Sequence, residues 1–352
     1  MIEELIAAVE PVSADHAALA RERHDQLAKP PGSLGQLEDL AVQLAAISRK
    51  CPPPALSSPA LVVAAADHGV HAQGISDWPQ AVTSLMVSTV ASGGAAVNAI
   101  ARSIGADVTV LDVGTVGETT AGGVVDARVR SGTRDITAEP AMTIGECAEA
   151  ITAGARVATE LVVRGADLLA TGDLGIGNTT ASSALIAAFA GEPAATVTGR
   201  GANMTDERVP VKVKAIETAL ARHGEERDPL RTLASLGGLE HAALVGVMLA
   251  GAAGRVPVVL DGVIADAAAL AAVRICPAIS GYLIAGHHSA EPGARVALAA
   301  IGSTALVDLG MRLGEGTGAL LAVPIIQAAA RVLGEMATLA DVLDPPRLEP
   351  PG

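Results

Sequence analysis

The chain has 352 residues, half of them apolar, and its 24 Lys and Arg stand against 38 Asp and Glu, a formal net charge of −14. That acidity, with no run of Lys or Arg, argues against nucleic acid as a partner, because phosphate contacts dominate such affinity. Cys51, Cys147 and Cys276 are odd in number and widely spaced, which speaks against a disulfide framework or structural zinc and fits a reducing cytoplasm.

The N-terminus, MIEELIAAVEP, carries acids where a secretory signal has a basic start and an apolar core, so no export is expected. Residues 1–55 show helical patterns without strands, broken by Lys29-Pro30-Pro31-Gly32-Ser33. After that break Leu34, Leu37, Leu40, Ala41 and Leu44 make one apolar stripe. The proline-rich Cys51–Pro59 follows as a linker. From about residue 60, apolar runs alternate with Ala-rich helical stretches, the pattern of a parallel sheet. The expected strands are 60–65, 108–113, 167–170, 256–260, 282–285 and 305–308; without polar alternation they suit burial on both faces. The uncharged run between Asp77 and Arg102 is punctuated by Gln80, Thr83, Ser84 and Asn98 and predicts a buried amphipathic helix rather than a membrane span. Residues 315–340 are helical again. The expectation is a doubly wound α/β protein: an open, mainly parallel sheet with helices on both faces. Residues 56–330 form the large domain with the active site, and 1–55 with about 330–352 a small helical one.

Ligands of such sheets bind beyond the carboxyl ends of the strands. There the sequence places Asp67-His68-Gly69, Asp112-Val113-Gly114, the stretch Thr171 to Thr180, Asp261-Gly262, and Gly286 to Gly293. In Gly175 to Thr180 (GIGNTT), backbone amides opening a helix suit a phosphate. The dinucleotide pattern GxGxxG fails, since Thr180 takes the third glycine's place, and that weakens a dehydrogenase reading. Gly199-Arg200-Gly201-Ala202-Asn203, with Lys212 and Lys214 downstream, is a second glycine-rich turn; both segments also fit tight turns that need positive φ.

Glu315 lies between glycines and apolar runs in LGEGTG. Two roles compete for it: a general base whose proton affinity is raised by apolar surroundings, and an acid favoured in the first turn of a helix. Asp67, His68, His71, His287, His288 and Glu291 make a metal centre only if their two loops meet; no pair has a diagnostic spacing, and hydrogen-bonding loop histidines are the alternative. Asp67 and Asp261, each before a glycine or histidine at a strand end, also fit capping of backbone amides. Trp78 is the only tryptophan, a candidate for stacking on a base or for the core.

Seven strings in order, KPPGSLGQLEDLAVQLA, ADHGV, GIGNTT, LGGLE, VPVVLDG, SAEPGAR and RLGEGTGAL, resemble the nicotinate-nucleotide:dimethylbenzimidazole phosphoribosyltransferases over nearly the whole length. The resemblance implies a Rossmann-like sheet and transfer of the 5-phosphoribosyl group of nicotinate mononucleotide to 5,6-dimethylbenzimidazole, in assembly of the cobalamin lower ligand. Other acceptors, such as adenine or a phenol, and a non-catalytic nucleotide sensor are the competing readings. It implies no metal or redox cofactor, and a homodimer. Glu315 matches the family's general base. Gly201, Lys212 and Ser289 match positions that hold the nucleotide phosphate. Asp173 stands where the family often carries Glu beside the ribose, and Gly175, Gly177, Asn178, Thr179 and Gly314 line the same cleft. Trp78 and Met86 match the loop over the benzimidazole.

Overall fold

Runs of Val, Leu and Ala with few polar residues form strands when helices cover both faces. Pro59–Ala66 (β1), Asp107–Gly114 (β2), Val124–Asp126 (β3), Leu168–Leu174 (β4), Val258–Leu260 (β5) and Leu283–Ala285 (β6) make one six-stranded sheet in the order β3-β2-β1-β4-β5-β6. All pairings are parallel, for example Val63 with Val110 and with Gly172. All eight residues of β1 are buried, as are all seven of β4. The structure, a computed structural model, describes residues 2–119, 121–201 and 208–344. The turn residues Ala202 and Asn203 lie outside them.

The chain divides into two units. The larger comprises 1–10 and 58–323 and contains the sheet; the smaller comprises 11–57 and 324–352. The expected division differs at both ends. Residues 1–10 group with the sheet, where the carbonyl of Glu10 accepts from the Tyr282 hydroxyl at 2.8 Å. The C-terminal share begins inside the helix Thr317–Glu335, at Pro324, a residue that removes an amide from the helical ladder. In the smaller unit, Gln36–Ser48 is the helix of the leucine stripe and buries Leu40, Ala41 and Leu44. Lys29 donates to Glu38 at 2.7 Å, and Glu38 also accepts the Leu34 amide, which ties the Pro30-Pro31 turn to that helix.

Three expectations change. Residues 305–308 are not a strand: Val307 makes a single bridge to His287. The short β3 at the sheet edge carries no apolar run that would announce it. The apolar stretch 81–104 is two helices, Ala81–Ala91 and Ala96–Ile104, because Gly93 takes φ +81° and Gly94 follows it. At 11 and 9 residues, neither is long enough to cross a bilayer.

The helices Ile144–Val163 and Leu239–Ala253 meet backbone to backbone. A Cβ on Gly154 would collide with the Ala243 carbonyl, and one on Gly246 with that of Ile151. This close packing carries Glu240 and His241 beneath the carboxyl end of β1.

Candidate active site

In a sheet of this order the chain reverses its direction of growth between β1 and β4, and the strand ends splay apart there. The loops after β1 and β4, with those after β5 and β6 and the segment before the helix Thr317–Glu335, enclose a cavity of about 540 Å³. Trp78, Met86, Asp173, Gly175, Gly177, Asn178, Thr179, Gly201, Ser289, Gly314 and Glu315 all line it. Lys212 does not.

Glu315 sits at φ +65° between Gly314 at +84° and Gly316 at +92°. Three successive left-handed residues turn the chain sharply, and a non-glycine residue in the middle is uncommon. Neighbours hold it there. The Glu315 amide donates to the Asp173 carbonyl at 3.3 Å, and a Cβ on Gly172 would come within 2.5 Å of the Glu315 carbonyl oxygen. Glu315 is 4% exposed, and its Oε2 has no hydrogen-bond partner among the described residues. Burial pushes the carboxyl above the usual range, the Val97 amide opposes this, and the charge of Asp261 adds to it. Capping of the following helix is not its role. The amides of Gly316, Gly318 and Ala319 go instead to Asp261, the carboxylate at the end of β5.

Asp173 ends β4 and is buried. Its Oδ2 accepts from Asn178 Nδ2 at 2.9 Å, while Oδ1 has no partner among the described residues. Burial, together with Asp261, Glu240 and Glu315 nearby, pushes its carboxyl well above the ordinary value. The cavity floor therefore concentrates negative or proton-sharing oxygen, suited to a sugar carbon that gains positive character.

On the other wall, Gly177 at φ +101° opens the helix Asn178–Ala190, whose first residues Asn178 and Thr179 face the cavity. The Asn178 and Thr180 amides turn back to the carbonyls of Gly175 and Gly177, so it is the positive dipole end of this helix that suits an anion. Lys212 lies one layer behind, 1% exposed, donating to Thr179 Oγ1 and the Gly199 carbonyl at 3.0 Å each. Burial brings its ammonium down to about 8. The Gly201 amide is also already engaged, donating to Glu291 Oε1 at 2.8 Å. Both positions brace this wall rather than offering open donors. Arg200, named above only as part of the glycine-rich turn, and Arg312 also line the cavity, cations to which reasoning from the motifs gave no role of their own. Arg312 lies within the RLGEGTGAL string, but nothing in its spacing showed that it faces inward.

The third wall is apolar. Ile75, Trp78, Val82 and Met86 come from the segment after β1, and Ile176 from the loop after β4, where its amide donates to Thr83 Oγ1 at 3.1 Å. Asp67 fixes Thr83 in turn, accepting its hydroxyl at 2.6 Å and the Val116 amide at 2.9 Å. Trp78 is 45% exposed and stands at the rim, not in the core.

The histidines do not gather into one cluster, and of them His287 lines the cavity. Among the described residues, the His68, Glu240 and His241 side chains come close enough to share an ion. They already pair with one another: Glu240 Oε1 lies 2.8 Å from His68 Nε2 and 2.7 Å from His241 Nδ1, and His241 Nε2 meets Ser182 Oγ at 2.8 Å. Of the expected metal candidates only His68 belongs to this set, and His71, His287 and His288 lie elsewhere.

The phosphoribosyltransferase family model DBI_PRT matches residues 9–342. The nicotinate-nucleotide–dimethylbenzimidazole phosphoribosyltransferase of Salinispora tropica is 51% identical over 96% of this chain and 97% of its own length. The chain belongs to this phosphoribosyltransferase family. The enzyme of the same name from Roseiflexus sp. is 46% identical, over 97% of each chain. Among solved structures, CobT from Thermus thermophilus superposes with a TM-score of 0.90 at 46% identity, covering 93% of this chain and 98% of that one. The parallel sheet thus follows the fold of that solved structure.

Proposed function

We propose that the protein transfers the 5-phosphoribosyl group of nicotinate mononucleotide to 5,6-dimethylbenzimidazole, releasing nicotinate and forming α-ribazole 5′-phosphate for the cobalamin lower ligand. The names of its relatives support this, and one observation carries the mechanism: a buried, partner-poor Glu315 carboxylate lining the same cleft as the N-terminal end of the helix Asn178–Ala190. The phosphate sits at Gly175–Thr179 with Ser289 on the same cavity surface and Lys212 behind it. C1′ then lies over Asp173 and Glu315, and the azole lies against Trp78 and Met86. The azole nitrogen lone pair forms the new bond to C1′, the bond to nicotinate breaks with inversion, and the proton on the azole's other nitrogen passes to Glu315. A base of raised proton affinity matches that task, because transfer is most effective when donor and acceptor affinities lie close.

Incubating both substrates with the protein and resolving the products by chromatography tests the reaction. Nicotinate and α-ribazole phosphate are expected in equal amounts. Binding of the nucleotide without nicotinate release would instead mark a sensor, and faster turnover with adenine or a phenol would change the acceptor.

The assembly inferred is a homodimer in the cytoplasm. Leu85, Leu309 and Leu313 are exposed at 65%, 64% and 59%, apolar surface of the kind that a second copy covers. The three free cysteines fit a reducing compartment. Light scattering should give twice the 35.0 kDa of the chain.

A further inference from the structure

We propose that Asp261 is the positioning residue for the base: its carboxylate grips the amides immediately after Glu315 and so holds the left-handed turn that presents Glu315 to the cleft. This inference rests on the assignment of Glu315 as base. Asp261 does not line the cavity. It is wholly buried at the end of β5, and both of its oxygens are spent on the neighbouring segment. Oδ2 accepts from Gly316 at 3.1 Å; Oδ1 accepts from Gly318 at 2.7 Å and Ala319 at 3.0 Å.

The geometry separates this from ordinary helix capping. A capping residue normally precedes its own helix by one position, whereas here the cap comes from a strand end far earlier in the chain. The bond to Gly316 lies on the strained turn itself, not on the helix. With the Glu315 amide on the Asp173 carbonyl, the two strand ends pin residues 315 and 316 from β4 and β5. Space is closed as well: a Cβ on Gly316 would enter the Leu61 side chain, and one on Gly318 the His287 ring. Freed from Asp261, the turn relaxes toward negative φ, which swings the Glu315 side chain off its line.

The charges facing Asp261 are His287, whose Nε2 is 3.8 Å from Oδ1, Asp266 on the next helix, Asp173 across on β4, and Glu315 itself. Burial pushes the Asp261 carboxyl up, and His287 and the three amides draw it back down. Its negative charge in turn raises the proton affinity of Glu315. Asp261 thus fixes both where the base stands and how strongly it holds a proton.

The test is a double-mutant cycle of Asp261→Asn and Glu315→Gln, measured as kcat, KM and the pH dependence of kcat/KM. Asp261→Asn keeps the shape but loses the charge and one good acceptor. It should lower kcat by about 10- to 100-fold, the cost of a misplaced catalytic group. KM for nicotinate mononucleotide should stay within about threefold, since uniform binding is untouched. The acid limb should move to lower pH, because removing a negative neighbour lowers the proton affinity of Glu315 and leaves it ionised at more acidic pH. In the Glu315→Gln background the same change should slow the enzyme less than about twofold, since it acts through a base no longer present.

Additive losses in the double variant, an unmoved acid limb, or wild-type kcat in Asp261→Asn each overturn the inference while leaving the base assignment intact. Wild-type turnover in Glu315→Gln alone overturns both. Should Asp261→Asn not fold, Asp261→Ser, which keeps a short oxygen acceptor, carries the same cycle.

Discussion

Two buried glutamates in this protein are held in opposite ways. Glu240 lies under the carboxyl end of β1 with an imidazole on either side, and those two histidines hold its carboxyl well below the usual range in spite of complete burial. Each keeps one oxygen unpartnered among the described residues, but Glu315 faces a cavity and has the negative charge of Asp261 nearby, so burial pushes it upward. Depth alone does not set proton affinity. The partners do, and here they separate a carboxylate held ionised between imidazoles from the one proposed as base.

The largest effect expected from this contrast is on rate. Glu315→Gln should lower kcat by on the order of 10²- to 10⁴-fold, the usual worth of general base assistance. Steady-state assay with saturating substrates checks it, and an unchanged kcat breaks the contrast at its functional end. Glu240→Ala should act on stability instead, by about 1–3 kcal/mol, because it leaves two buried imidazole nitrogens without the carboxylate they face; denaturant melts read this. Glu315→Gln should melt no lower than wild type at neutral pH. An acid whose folded pKa is raised stabilises the fold fully below its unfolded pKa, and that contribution is lost as pH rises through the higher folded value; the amide avoids the loss.

The contrast also fixes the shape of the pH profile. With the base raised, kcat/KM should climb at a pH above the ordinary glutamate range. It should fall again near pH 8 as Lys212, brought down to about 8 by burial, loses its charge behind the proposed phosphate site. Lys212→Met should remove the alkaline limb and raise KM for the nucleotide. The smallest effect concerns the apolar wall, which no charge governs. Two acceptor methyls against Trp78 and Met86 are worth about 0.8 kcal/mol each, so dimethylbenzimidazole should exceed benzimidazole in kcat/KM by roughly tenfold. Equal values would place the methyl groups outside that wall.

Much of this was legible in the amino-acid order. Val- and Ala-rich runs without polar alternation marked β1, β2 and β4 to within a few residues, because strands buried on both faces have no reason to alternate. The edge strand β3, three residues long and half exposed, has no such signature. Gly93 and Gly94 broke a run whose apolar content alone suggested one helix. In the cavity, glycine-flanked Glu315 and the GIGNTT helix end were visible as chemistry. What each neighbour binds was not. That Glu291 occupies the Gly201 amide, and that Asp261 rather than Glu315 caps the helix Thr317–Glu335, depends on loops far apart in the chain, and no local spacing encodes it. The grouping of 1–10 with the sheet likewise rests on distant partners, the helices Ile144–Val163 and Leu239–Ala253 together with Arg255 and Tyr282.

The rim position of Trp78 has a practical side. The chain contains one tryptophan, one tyrosine and one phenylalanine, so nearly all its ultraviolet emission comes from an indole at the mouth of the cleft. The enzyme carries its own optical gauge: an aromatic acceptor settling beside that indole changes its brightness or colour directly, and occupancy can be followed in real time without a dye.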